Sequence, residues 1–145
     1  MAGAPVDALR RVPLFAELGR RELEQVARLF KERRFAPGET VAREGSGGAA
    51  FYLIDAGEAA VSVAGQERGS LGRGDAFGEI ALIDEGARSA TITATSELVC
   101  YGLTYWDFRP LVQANAAISW NLLQAVVKRL RAAEEAAAQS APSRT

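Results

Sequence analysis

The stretch F77-G-E-I-A-L-I-D-E-G-A-R-S-A-T-I-T-A94 is small and apolar apart from a few charges, of which Glu79 and Arg88 stand out. The neighbours of Arg88 are Gly86, Ala87, Ser89, Ala90 and Thr91, none of them bulky. Two opposite charges set among little side-chain volume admit two readings. They can form a structural ion pair, although burying charge in an apolar region carries a desolvation cost. They can instead line a space meant for something else. A guanidinium fork matches a phosphate through two parallel hydrogen bonds. Backbone N–H groups opening a short turn, as G78-E-I-A-L-I83 could, add an anion-binding nest. A carboxylate repels phosphate but accepts from a hydroxyl, such as that of a ribose. One Arg and one Glu together suit a nucleotide whose phosphate carries a single charge.

Outward from this stretch, strand signals continue on both sides. From Phe35 to Leu103, turn residues recur at P37-G-E39, E44-G-S-G-G48, D55-A-G-E58, A64-G-Q-E67, G72-R-G-D75 and D84-E-G86. Between them lie runs rich in strand formers: T40-V-A-R-E44, A50-F-Y-L-I54, A59-A-V-S-V63, S89-A-T-I-T-A-T95 and L98-V-C-Y-G-L103. Short strands at regular spacing with Gly-rich turns predict a sandwich or barrel. Helical periodicity flanks this region. In G19-R-R-E-L-E-Q-V-A-R-L-F-K-E-R-R34, Leu23, Val26, Ala27 and Phe30 share one apolar face, which makes K31-E-R-R34 a solvated helix end. The segment Val6–Val12 reads as a further helical turn. After Leu103, Thr104 with Asp107 resembles an N-terminal cap, Pro110 makes that helix short or kinked, and Asn115 can cap a longer helix. In the long helix Leu123, Val126, Leu130, Ala133 and Ala137 step by three and four, a weak heptad seam. Trp106, Phe108 and Trp120 read as core aromatics.

Composition narrows the chemistry. The chain has 145 residues, enough for one domain with one core, and a net charge of -1. That balance offers no basic footprint for nucleic acid or an anionic membrane. There is no His and a single Cys, Cys100, so a His-ligated metal, a His general base and an internal disulfide are excluded. Carboxylate-only metal sites have no support in the pattern. Cys100 lies in an apolar strand and reads as buried filler. No run approaches the length of a signal peptide or a membrane span. The expectation is a cytoplasmic protein with one domain over residues 1–138 and a polar, disordered tail over 139–145.

Taken together, F77–A94 resembles the phosphate-binding cassette of cyclic nucleotide-binding domains, found in bacterial catabolite activators, cyclic-AMP-dependent kinase regulatory subunits and cyclic-nucleotide-gated channels. The resemblance runs from about Leu14 to Arg131. F35-A-P-G-E-T-V-A-R-E-G45 is similar to the family's first strands, F51-Y-L-I-D-A-G-E-A-A-V-S-V63 to its next hairpin, and L71-G-R-G-D-A-F-G-E79 to the entry of its cassette. The resemblance implies a mainly β fold: an eight-stranded antiparallel jelly roll with flanking N- and C-terminal helices. It implies a ligand site of Gly78, Glu79, Ile80, Ala81, Arg88 and Ser89. Glu79 would take the ribose 2′-hydroxyl, and Ile80 and Ala81 would offer backbone N–H groups. Arg88 would pair with the cyclic phosphate. Ser89 would bond the phosphate or, as in cGMP-selective relatives, a guanine amino group.

The ligand expected is cAMP or cGMP, with cAMP favoured, and no catalytic cofactor and no enzymatic activity are expected. Where bacterial activators read adenine with hydroxyl residues late in the long helix, this chain has Ala133 and Glu134. No helix-turn-helix pattern follows, so no direct DNA binding and no membrane association are expected. The output would pass to an effector protein or a second copy of the chain. The alternative is a degenerate β-roll that serves as a ligand-free interaction module.

Overall fold

A computed structural model describes residues 3–46, 50–83 and 88–140, with Ile80 and Ala81 described by their backbone only. The expectations for Gly47, Gly48, Asp84–Ala87 and tail residues 141–145 concern residues outside those described. The chain runs α1 (Val6–Arg10), a 3₁₀ turn (Pro13–Phe15), α2 (Arg20–Ala27), then strands β1 (Lys31–Phe35), β2 (Thr40–Ala42), β3 (Ala50–Ala56), β4 (Ala59–Val63), β5 (Gln66–Leu71) and β6 (Ala76–Phe77). A second 3₁₀ turn, Glu79–Leu82, leads towards β7 (Thr91–Ala94) and β8 (Leu98–Thr104), followed by α3 (Tyr105–Ala114) and α4 (Ala116–Ser140).

The eight strands form two four-stranded sheets, ordered β1-β8-β3-β6 and β2-β7-β4-β5. Every pairing is antiparallel. This is the expected jelly roll with helices at either end of the chain. Strand β3 shows why there are two cores. Its side chains alternate between faces, and Phe51 and Leu53 join one cluster while Tyr52 and Ile54 join another. Between the sheets lie Tyr52, Ile54, Ile92, Leu98 and Cys100. On the outer face of the first sheet, Phe51 meets Phe15 and Phe30 edge-on, with ring centroids 6.0 and 5.8 Å apart. Phe108 of α3 and Ile118 and Leu122 of α4 complete that helical core. Cys100 is fully buried, and desolvation pushes its thiol up to about 11, against a smaller lowering by Arg33. The thiol is therefore protonated filler at neutral pH.

Two local expectations need correction. K31-E-R-R34 is not a helix end but β1, paired with β8 from Lys31↔Gly102 to Phe35↔Leu98. Helix α2 stops at Ala27, and the following turn is closed by Leu29 N–H to the Val26 carbonyl at 3.0 Å. Four exposed charged residues carry no strand alternation, so cross-strand hydrogen bonds, not burial, hold them extended. Trp106 and Trp120 are not core: they are 61% and 62% exposed, while Phe108 is buried. The caps are where the pattern put them. Thr104 Oγ1 accepts from Asp107 N–H at 3.1 Å, and Asn115 Oδ1 accepts from Ile118 N–H at 3.0 Å. Helix α3 continues through Pro110 to Ala114.

Candidate functional site

The 3₁₀ turn Glu79–Leu82 and the segment Arg88–Ala90 reach a common cavity from two directions. Its volume is about 650 Å³, and Gly78, Glu79, Arg88 and Ser89 all line it. Phe51, Phe77 and Ile92 form apolar wall, and Arg11, Val12 and Pro13 border it from the N-terminal segment. Ile80 and Ala81 supply the middle of the turn.

Arg88 is held at its backbone and at its side chain. Its N–H donates to the Ser46 carbonyl and its carbonyl accepts from Gly45 N–H, both at 2.9 Å. The guanidinium Nη2 donates to the Ala50 carbonyl of β3. Half-buried, its pKa is lowered, chiefly by desolvation, with Tyr52 acting the other way. A desolvated cation favours an anion that restores its lost interactions. Gly78 makes this placement possible. Its φ is +83°, and a Cβ there would overlap the Arg88 guanidinium and come within 2.8 Å of the Ala50 carbonyl oxygen. Only glycine meets both demands.

Glu79 faces the other way. Its Oε2 accepts from Leu14 N–H at 3.3 Å, and its Oε1 accepts from Arg129 Nη1 of α4 at 2.8 Å. Its side chain is 17% exposed. Glu79 and Arg88 thus share the cavity, yet each has its own protein partner. Sequence reasoning did not find Arg129. It lies fifty positions from Glu79, on a helix whose apolar pattern does not single out either of its two arginines. Ser89 is exposed at the cavity wall. Among the described residues, no group of three or more His, Cys, Asp or Glu could hold a metal ion, and no helix is long and apolar enough to cross a membrane.

This geometry leaves a cavity of small-molecule size beside the β-roll and the N-terminal segment. The family described as "Cyclic nucleotide-binding domain" matches residues 32–115, and the chain belongs to that family, a regulatory binding domain rather than an enzyme. It is 32% identical over 127 residues to the cyclic AMP receptor protein of Thermus thermophilus, covering 84% of this chain and 59% of that one. It is 36% identical over 90 residues to a cAMP-dependent protein kinase regulatory subunit of Hypocrea atroviridis, covering 62% of this chain and 20% of that protein. Among solved structures, the N-terminal domain of a transcriptional regulator from Streptomyces coelicolor A3(2) superposes with a TM-score of 0.80 at 30% identity, covering 90% of this chain and 94% of that one. The chain therefore spans only part of the two curated relatives' length.

Proposed function

We propose that this domain is a cytoplasmic sensor of 3′,5′-cyclic AMP that binds the nucleotide in the cavity between Glu79 and Arg88. One observation carries the proposal. A phosphate-matching guanidinium and a hydroxyl-accepting carboxylate line a single cavity in a chain of this family. Arg88 takes the cyclic phosphate, with the backbone of Gly78, Ile80 and Ala81 and the Ser89 hydroxyl around it. Glu79 takes the ribose 2′-hydroxyl. Relatives named for cyclic AMP support adenine as the base, and relatives named for cyclic GMP at similar identity make guanine the competitor that titration must separate.

Ligand binding changes the packing of α4. The lever is Leu82, 2% exposed, which ends the turn that begins at Glu79 and sits in the same core as Ile118 and Leu122 of α4. A ligand that draws the turn inward alters the surface on which α4 rests, and differential affinity for two helix positions suffices to shift the population. The signal leaves through the exposed side of α4. Leu123, Val126 and Leu130 are 57%, 42% and 56% exposed and lie on the heptad seam, which suits an effector protein or a second copy.

Calorimetric titration tests the ligand. The expected result is saturable heat with cyclic AMP at a lower Kd than with cyclic GMP. Absence of heat with both, at micromolar protein, would overturn the proposal and leave the β-roll as an interaction module. The helix step has its own readout. In a Trp106→Phe background, the emission of Trp120 on α4 should move with ligand saturation.

A further inference from the structure

The segment that follows β2 is tied both to the ligand cavity and to a hairpin that lines no part of it. Gly45 N–H donates to the Arg88 carbonyl, and Arg88 N–H donates to the Ser46 carbonyl, both at 2.9 Å. One residue earlier, Glu44 N–H donates to Thr91 Oγ1 at 2.9 Å. Three successive residues thus grip the limb that carries Arg88 into β7. The side chain of half-buried Glu44 reaches the other way. Its Oε1 accepts from Ala64 N–H at 2.8 Å, in the turn between β4 and β5.

That turn has reason to need the contact. A two-residue hairpin loop with positive φ at both central positions favours Asn-Gly or Asp-Gly. Here the pair is Ala64 and Gly65, with φ of +53° and +78°. Ala64 is the one non-glycine residue of positive φ among the described residues, and its methyl group offers nothing to offset the left-handed conformation. Strand pairing ends at Val63↔Gln66, so the ladder gives the Ala64 N–H no partner. Glu44 supplies one from outside the hairpin. Because β4 already lies beside β7, with Ser62 opposite Thr91, the carboxylate braces the turn against the Arg88 limb.

We propose that Glu44 is a positioning residue for Arg88, a strut between its limb and the β4–β5 turn, so that ligand at Arg88 and the closed turn stabilise each other. This role rests on the cyclic nucleotide reading above and gives the Arg88 half of that site a second connection, away from α4. Coupling of this kind is reciprocal: whatever loosens the turn weakens binding by the factor with which binding tightens the turn.

The test is amide hydrogen exchange on the whole chain, with cyclic AMP as probe, joined to calorimetric Kd values. Ala64 N–H should exchange about fivefold more slowly at saturating cyclic AMP than without it. Gly38 N–H, bonded to the Ala94 carbonyl at the other end of β7, is the reference and should change by less than about twofold. Glu44→Ala should weaken binding about fivefold, whereas Glu44→Gln, which keeps the acceptor oxygen, should stay within about twofold of wild type. Ala64 exchange that ignores the ligand, or that slows no more than Gly38, overturns the inference, because Glu44 would then serve the hairpin alone. Wild-type affinity in Glu44→Ala overturns it too, as does a loss in Glu44→Gln equal to that in Glu44→Ala. The exchange measurement needs no variant and decides the matter if Glu44→Ala does not fold. A wild type silent in calorimetry towards both cyclic AMP and cyclic GMP overturns the ligand assignment itself, and this inference with it.

Discussion

Within the F77–A94 stretch, the turn Glu79–Leu82 at the front and the run from Arg88 at the back are anchored in different bodies of the molecule. The front end belongs to the helices: Glu79 bonds Leu14 and Arg129, and Leu82 is packed with Phe108, Ile118 and Leu122. The back end belongs to the β-roll: Arg88 is fixed to Gly45, Ser46 and Ala50, and Ile92 lies between the sheets with Tyr52 and Cys100. A nucleotide bridging Arg88 and Glu79 therefore bridges two separately packed cores. Each charge then has its own part. Arg88 has the rigidity of a sheet behind it and suits affinity. Glu79 is bonded to α4, and under the proposed mechanism suits transmission.

Arg88→Ala is the most damaging test of the back end. It removes the charge-assisted contact that no neighbour replaces. Affinity for cyclic AMP should fall roughly 100-fold, with circular dichroism unchanged because the anchoring backbone bonds to Ser46 and Gly45 remain. An affinity within about threefold of wild type would show that the phosphate is held elsewhere, and the comparison would lose its β-roll half.

Leu82→Ala tests the front end. Truncating a fully buried Leu leaves a cavity and should cost about 2–3 kcal/mol of unfolding free energy, read by denaturant titration. Affinity should fall by less than in Arg88→Ala, since no ligand contact is lost. The Trp120 response to ligand should shrink more than the affinity does. A full response from a destabilised but folded variant would mean that the helical layer is moved by something other than this turn.

What the sequence could reveal follows the same division. The β-roll and its end of the cassette were legible because their signals are local. Turn residues punctuate the strands, and small residues crowd Arg88. Caps at Thr104 and Asn115 were legible for the same reason, as each bonds a backbone N–H three residues on. How the helices meet the cassette was not. The apolar period ending at Phe30 leads naturally into K31-E-R-R34, and only pairing with β8, some seventy residues away, makes that run a strand. The two-residue strand β6 is too short to carry a pattern. Trp106 and Trp120 look like core by type, yet the buried face of α4 is Ile118, Leu122 and Ala125, a different stripe. Arg129 is one cation among several until the fold brings α4 to Glu79.

The smallest expected effect lies next to Arg129. Lys128 pairs with Glu17 at 2.9 Å, nearly as short a contact as the 2.8 Å of Arg129 with Glu79, but its side chain is 68% exposed and its partner lines no part of the cavity. Exposed pairs of this kind contribute about 0–1 kcal/mol, because solvent screens the charges and ordering two long side chains offsets the gain. Lys128→Gln should therefore shift stability by less than about 0.5 kcal/mol in denaturant titration and leave the Kd for cyclic AMP within about 1.5-fold of wild type. If Lys128→Gln instead weakened binding as far as Leu82→Ala, general docking of α4 would set the affinity, and the division between an affinity end and a transmission end would dissolve.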